Sequence, residues 1–494
     1  MPSASETALI HRFGMSVRVS LVAGTAASLL ACAPATKLSK PNLALPQAYD
    51  TTAKPGAVSA AALDRWWTLF DDPQLAGLIE EALRASPDAR SALARLQEAR
   101  ANRDQALSAF WPQGNVTASA TAQDNNQTFG GGGFQGFAPG GRTNTYSAQF
   151  NPTWEIDLYG AIRTARRGAN ADLAAARFDY EASRMSLAAD VATSLFQARG
   201  IAVQLADARE NARIARELAE VGTTKADYGF AASADAAQLG SQAHSAAAEV
   251  LRLEAALAAA RRSLIVLTGR GAVSLDSIPI EAKVAAAPPV PATTPGEILA
   301  RRPDVREAEE RLASAETRIK LNKLQLFPNL SLQPGLQFSR TTGAFQSTSK
   351  LWQLGLGATI PVLDRPKLLA EIRAQTARTE QAVADYEKAV QSAYSDAEKA
   401  LTTLQADQDR TALLIQAESQ SRFAFDAATL GYRAGLTDLT ALLQAEQSWR
   451  SARAALSSLQ TTALVDAVTT FKALGGGWTP VTHDAAAATR IAPS

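Results

Sequence analysis

The chain has 494 residues, with 49 Lys and Arg against 48 Asp and Glu, so a formal net charge of +1 gives no electrostatic case for nucleic acid. One cysteine excludes an internal disulfide, and the three histidines, His11, His244 and His483, are too scattered to supply a metal site or His-based catalysis. Hydrophobic residues make up 46% of the chain, yet no window approaches the roughly 18 consecutive apolar residues of a mature membrane-spanning helix.

Met15 to Cys32 reads as an export signal: Arg12 and Arg18 supply positive charge, and an apolar run follows from Val19 to Leu30. Leu29-Leu30-Ala31-Cys32 resembles the lipobox of bacterial lipoproteins, which implies acylation of Cys32 and removal of residues 1–31. An ordinary signal peptide with an incidental cysteine is the plainer alternative. Ala33 follows the cysteine, which in lipoproteins suggests onward transfer to the outer membrane. Residues 32–60, with Pro34, Pro41, Pro46 and Pro55, are expected to be an extended arm. Trp66 and Trp67 then read as packing anchors ahead of the first helix.

Two copies of one plan follow. Ser86-Pro87-Asp88-Ala89-Arg90 matches Arg302-Pro303-Asp304-Val305-Arg306, and Trp111-Pro112 matches Phe327-Pro328, at an offset of 216 in the numbering. Asp179-Tyr180-Glu181 matches Asp385-Tyr386-Glu387, and Gly269 matches Gly475, at an offset of 206. The first copy, 61–268, carries the longer Gly-rich loop, Gly130 to Gly141; the second is 302–474. A Pro-rich linker, 269–301, joins them, and 475–494 form a tail.

Each copy predicts a short helix opened by proline, two strands, a very long Ala-rich helix and a return helix. Strands are expected near 113–123 and 143–154, then near 329–340 and 350–361. The second pair is the clearest. Leu330, Leu332, Leu336 and Phe338 alternate with Ser331, Gln333, Gln337 and Ser339; Trp352, Leu354, Leu356 and Ile360 alternate with Gln353, Gly355, Gly357 and Thr359. Period two means one apolar and one polar face, and about ten residues is the length of a tilted bilayer-crossing strand.

The first long helix is expected from about Gly160 to Val221, roughly 62 residues or ~93 Å. The short and return helices, about 25 and 37 residues, sum to a similar ~93 Å. The two shorter helices are therefore expected to stack end to end beside the long one, with arm, linker and tail gathered at the junction. Narrow stripes such as Leu187, Val191 and Leu195, or Tyr386, Val390 and Tyr394, argue for helix-on-helix packing.

Four strands cannot close a barrel, and open edges in lipid cost several kcal/mol per unpaired group. A membrane reading therefore requires an oligomer, with the Ser, Gln, Gly, Thr and Asn face lining water. The residues resemble the TolC-type outer-membrane efflux factors, in the NodT-type lipoprotein branch. The resemblance rests on Trp66 to Leu75, Trp154 to Gly160, Arg302-Pro303-Asp304, Phe327-Pro328, Pro361 to Asp364, Tyr432 to Gly435 and Phe471 to Trp478, in that order. It covers the mature chain. The fold it implies is mainly α: a long α-helical tunnel, with four strands per chain completing a 12-stranded transmembrane β-barrel in a homotrimer. It implies an outer-membrane location in a Gram-negative bacterium. It also implies passive export of small molecules or drugs passed from an inner-membrane pump through a periplasmic adaptor (membrane fusion) protein. Ser331, Gln333, Gln337, Gln353 and Thr359 would line the barrel lumen.

The Gly-rich turns Val221–Phe230 and Leu430–Leu436 lie farthest from the strands in each copy, and the resemblance implies that they close the periplasmic mouth and meet the adaptor. Gly222, Gly229 and Gly435 read as tight-turn residues; a tyrosine recurs between the tips, Tyr228 in the first and Tyr432 in the second, and Tyr432 with Arg433 reads as a latch. Asp227, Asp235 and Asp438 are candidate acceptors. Where the family has an Asp in the run after the second tip, this chain has Gln444, in Leu443-Gln444-Ala445-Glu446. Leu436, Thr440 and Gln444 step by four on one helical face, and Glu446 points elsewhere; with that face lining the mouth, the resemblance implies an uncharged constriction where relatives have a carboxylate ring. No phosphate loop, nucleophile elbow or metal-spaced cluster appears, so no enzyme, metal or cofactor is expected. A protein-secretion duct of the same architecture and a pore-free periplasmic coiled-coil lipoprotein stay open as alternatives.

Overall fold

A computed structural model describes residues 41–46, 48–50, 60–125, 141–290, 294–343 and 346–479. The expected signal and the Cys32 lipidation site lie outside these residues, as does most of the arm. A 3-10 segment, Ala60–Phe70, leads into α1 (Pro73–Ala85) and α2 (Pro87–Ser108). Then come β1 (Val116–Asn125), β2 (Gly141–Phe150), β3 (Trp154–Ile156), α3 (Ala161–Asp227) and α4 (Ser233–Leu267). The second half holds α5 (Pro295–Arg301), α6 (Pro303–Leu324), β4 (Asn329–Thr342), β5 (Ser347–Thr359), α7 (Arg365–Arg433) and α8 (Leu439–Ala473). The repeat is structural: α2 and α6 both have 22 residues, and α4 and α8 both have 35. No described helix is long and apolar enough to cross a membrane.

The chain divides into a strand-bearing unit, 105–168 with 313–383, and a helical unit, 41–104 with 169–312 and 384–479. In the first, the antiparallel order is β1-β2-β4-β5. Phe150 pairs with Leu336 and Trp154 with Leu332, so β3 continues β2 in register. Pro152 interrupts the ladder there because it has no N–H to donate. β2 and β3 thus make one interrupted strand, and each chain supplies four. The expected second strand near 143–154 is therefore two pieces, and the first runs two residues past its expected end.

The helical unit shows why the long helices stop where they do. Gly229, Gly269, Gly435 and Gly475 all have positive φ and occupy equivalent places in the two copies. At each, the next residue's N–H reaches back five residues: Phe230 to the Lys225 carbonyl at 2.7 Å, Leu436 to Gly431 at 2.8 Å, Arg270 to Ile265 at 3.1 Å and Gly476 to Phe471 at 2.9 Å. These are Schellman ends, which absorb orphan carbonyls and need a left-handed residue. The end of α4 abuts the start of α2, for a Cβ on Gly269 would lie 2.6 Å from the Ala85 carbonyl. Likewise Gly475 abuts Arg301, ahead of α6. The shorter helices thus meet end to end in both copies.

Linker, tail and N-terminal residues pack around these junctions. Arg270 Nη2 donates to Glu81 at 2.7 Å and Nη1 to the Ser277 carbonyl at 2.7 Å. Gly477 N donates to Leu63, and Trp478 Nε1 to Arg301, both at 2.8 Å. Trp66 is fully buried and stacks on Phe471 with ring centroids 5.7 Å apart; with the buried Trp67, it anchors packing as expected. Arg302 is buried, and its guanidinium reaches Asp304, Asp396 and the Ala393 and Ala473 carbonyls, tying α6 to α7 and to the end of α8. In the first copy the equivalent Ser86 is buried, and its Oγ accepts from Asp88 N at 3.3 Å. The same Pro-Asp motif thus starts a helix by a cap in one copy and by an ion cluster in the other.

Candidate functional site

Two regions carry the candidate residues: the sheet, in the strand-bearing unit, and the tip of the helical unit. Directly paired residues of antiparallel strands share a face. One face of the sheet reads, row by row across β1, β2, β4 and β5, Thr117, Gln149, Gln337, Leu351; then Ser119, Ser147, Ser339, Ser349; then Thr121, Thr145, Thr341, Ser347. Ser331, Gln333, Gln353 and Thr359 continue that face toward the helices. All five candidate lumen residues therefore lie together. Hydroxyls satisfy one another on it: Ser119 and Ser147 Oγ atoms are 2.7 Å apart, and Gln333 Nε2 donates to Ser331 Oγ at 3.0 Å. Leu351 is the one apolar residue in these three rows, and the alternation did not flag it.

The opposite face is apolar and exposed. Val116, Phe150, Leu336 and Trp352 make one row, and Leu332, Leu356 and Trp154 lie in a row nearer the helices. Trp352 is 78% exposed, Leu356 69% and Leu336 58%. A contiguous apolar patch of this kind needs a covering medium. Among the described residues, β1 pairs only with β2, and β5 only with β4. The outer edges of β1 and β5 thus have no strand partner among the described residues. At the base of the strands, Asp157 Oδ1 and Oδ2 accept from Ala161 N and Ile162 N at 2.8 and 2.9 Å, so the first carboxylate after β3 starts α3.

At the helical tip, Leu218, Leu239, Phe425, Tyr432, Leu442 and Trp449 form one buried cluster drawn from α3, α4, α7 and α8. Phe425 and Trp449 stack with centroids 5.0 Å apart and an interplanar angle of 4°. Glu418 accepts from Trp449 Nε1 at 3.1 Å and pairs with Arg453, which also donates to Asp207 at 2.7 Å. Sequence reasoning missed this lock. The signal was available at offset 206: Glu418, Phe425, Tyr432, Trp449 and Arg453 correspond to Ala212, Ala219, Ala226, Ala243 and Ala247. Large groups from the second copy thus have alanines as counterparts in the first.

The candidate tip residues separate. Leu436, Thr440 and Gln444 are all exposed. Thr440 and Gln444 line a polar groove of about 780 Å³ with Gln238, Gln242 and Ser245 of α4. Arg433 is exposed, whereas Tyr432 is buried beneath the Lys225 ammonium, whose Nζ is 4.1 Å from the ring centroid. Burial, then the nearby Asp235 charge, push the Tyr432 hydroxyl above its ordinary pKa. Asp438 Oδ1 caps α8 by accepting from Ala441 N at 2.8 Å. Glu446 is buried and paired with Arg450; burial raises its pKa, and the Arg450 charge opposes the rise.

Two expectations need correction. Gly222 is not in a turn, because α3 continues to Asp227; a Cβ there would lie 2.5 Å from Leu239 Cδ1, so the glycine serves close helix packing. Tyr228 and Tyr432 are not counterparts. Tyr228 lies past the end of α3 and is 74% exposed, while Tyr432 is inside α7 and corresponds to Ala226. Gly229 and Gly435 do hold the turns.

The model of one protein family, described as outer membrane efflux protein, matches the chain twice, over 78–270 and 294–476. The two matches start 216 positions apart and end 206 apart, the same offsets as the internal repeat. The pyoverdine export outer membrane protein OpmQ of Pseudomonas putida is 30% identical over 91% of this chain and 96% of its own. The probable outer membrane lipoprotein SilC of Salmonella typhimurium is 27% identical over 90% of this chain and 95% of its own. Among solved structures, the outer-membrane channel OprN superposes with a TM-score of 0.74 at 28% identity, covering 90% of this chain and 98% of that one.

Proposed function

The chain belongs to the outer membrane efflux protein family and is an outer-membrane efflux channel, and from that premise we propose how its residues make the duct. Three copies join edge to edge, β5 of one beside β1 of the next, and four strands from each close a barrel of twelve, above the minimum of about eight. The observation that carries this is the two-faced sheet with two open edges. The apolar face meets lipid, and the face bearing Ser331, Gln333, Gln337, Gln353 and Thr359 lines water. Cys32 carries the acyl anchor, a reading supported by the likeness to an outer-membrane lipoprotein.

At the tip, Leu436, Thr440 and Gln444 face the closed mouth, and Arg433 reaches a neighbouring helix. Gly222 lets α3 and α4 approach closely enough to form the tip, and Tyr228, Gly229 and Gly435 present it to a periplasmic adaptor. The adaptor links the duct to an inner-membrane pump that supplies the energy; no group in the duct does so. The cargo is small molecules, the class to which relatives named for pyoverdine export and cation efflux point.

The test is susceptibility. A deletion strain expressing the partner pump should become at least several-fold more sensitive to that pump's substrates, and the wild-type chain should restore resistance. Unchanged susceptibility with a changed secreted-protein profile would favour the protein-secretion duct instead.

A further inference from the structure

The apolar face of the sheet ends in a step of charge. Moving from the helices toward the hairpin ends, the row Val116, Phe150, Leu336, Trp352 is followed by Ala118, Ala148, Phe338, Lys350, and that by Ala120, Tyr146, Arg340, Thr348. Lys350 and Arg340 are therefore diagonal neighbours on adjacent strands, within reach of one group. Both are exposed. Among the described residues of this face the acidic one at that end is Asp124, and it sits directly opposite Arg142. The connecting sequences 126–140 and 343–346 contain no Asp or Glu. Among the described residues of one chain, Arg340 and Lys350 thus have no carboxylate directly opposite or diagonal to them, at the rim of the apolar band.

Below them the surface is not flat. Ala148 lies between bulky neighbours and leaves a groove of about 460 Å³, walled by Phe150, Leu336, Phe338 and Trp352, with Lys350 at its rim. An apolar groove with one cation at its rim and a second diagonal to it has the complementarity of an acyl chain bearing a phosphate. A guanidinium matches phosphate oxygens as a fork, an ammonium matches them as a point charge, and a cation at the edge of hydrocarbon is costly without a counter-ion.

We propose that Arg340, Lys350 and this groove form a binding site for an anionic phosphorylated lipid in the leaflet that meets the hairpin ends. The inference rests on the reading that the apolar face meets lipid. Arg340 and Lys350 hold the headgroup phosphate, and one acyl chain lies along Trp352. The site is on the lipid side of the wall, so it sets the seating of the barrel in its leaflet and leaves the lumen untouched.

The experiment reconstitutes the full-length channel in phosphatidylcholine bilayers and reads quenching of Trp352, taken as the difference between the wild type and Trp352→Phe. Brominated-chain phosphatidate and brominated-chain phosphatidylcholine are compared as quenchers. Half-quenching should need roughly thirtyfold less phosphatidate than phosphatidylcholine in the membrane, from two basic groups near an anionic headgroup. The double variant Arg340→Gln, Lys350→Gln should assemble normally, since both side chains are exposed, and should lose that preference. Equal quenching by the two lipids in the wild type, or an unchanged preference in the double variant, overturns the proposal while leaving the lipid-facing reading intact. No quenching of Trp352 by either lipid overturns both.

Discussion

The resemblance implies a carboxylate at the place of Gln444, which is exposed one turn after Thr440 on α8, while Leu436 lies in the turn ahead of that helix and not on its face. If three copies of that face converge, one added carboxylate per chain makes a ring of three charges. Gln444→Asp should lower the divalent-cation concentration for half-block of single-channel current by several-fold; an unchanged block would mean that this face does not line the constriction. A second residue-scale device lies along α7 and α8. Burial, then a hydrogen bond that the protonated Asp466 carboxyl donates to the neighbouring Asp407, push Asp466 up to about 6. Its ordinary value is 3.8, so the folded chain favours the protonated form. That contribution is fully present below about pH 4 and is lost as pH rises through about 6. Thermal stability should therefore rise as pH falls from 7 to 5. Asp466→Asn should flatten this slope and raise the midpoint at pH 7 by about 1–3 °C. A slope that survives the substitution would assign the pH dependence to other groups.

At the scale of elements, period and punctuation were legible and close contacts were not. Alternation of Leu330 to Phe338 and of Trp352 to Ile360 declared both strands and their faces, because a strand's side chains have a fixed period of two. Positive-φ glycines at 269 and 475 marked both return-helix ends. The break at Pro152 was missed, since the alternation runs on through it in register. Gly222 was misread because a glycine near a helix end has two uses, turning the chain or admitting a neighbour, and only the position of Leu239 distinguishes them. The cluster around Trp449 was invisible for a related reason: it joins four helices that no local pattern brings together. Trp449→Ala removes a stacked, hydrogen-bonded ring whose first-copy counterpart is already alanine. It should cost about 3–5 kcal/mol, as large-to-small core changes do. The readout is a lower temperature for oligomer dissociation and a larger open-channel conductance. Stability and conductance both at wild-type values would mean that the cluster does not hold the tip.

For the whole molecule, the decisive fact is an incomplete sheet. Its apolar face is exposed and, among the described residues of one chain, both edges are open, and the family to which the chain belongs forms outer-membrane channels. A closed barrel of several copies removes both defects at once, because closure pairs the edges and lipid covers the apolar face. Neighbouring residues of one strand should therefore respond differently. Single cysteines at Gln337 and at Leu336 lie on opposite faces of β4. The measurement is single-channel current during exposure to a charged, membrane-impermeant thiol reagent, with the wild type as the control for Cys32. Gln337→Cys should lose current in three discrete steps, one per copy, and Leu336→Cys should lose none. Steps from Leu336→Cys and none from Gln337→Cys would turn the wall inside out, and a number of steps other than three would contradict the trimeric barrel.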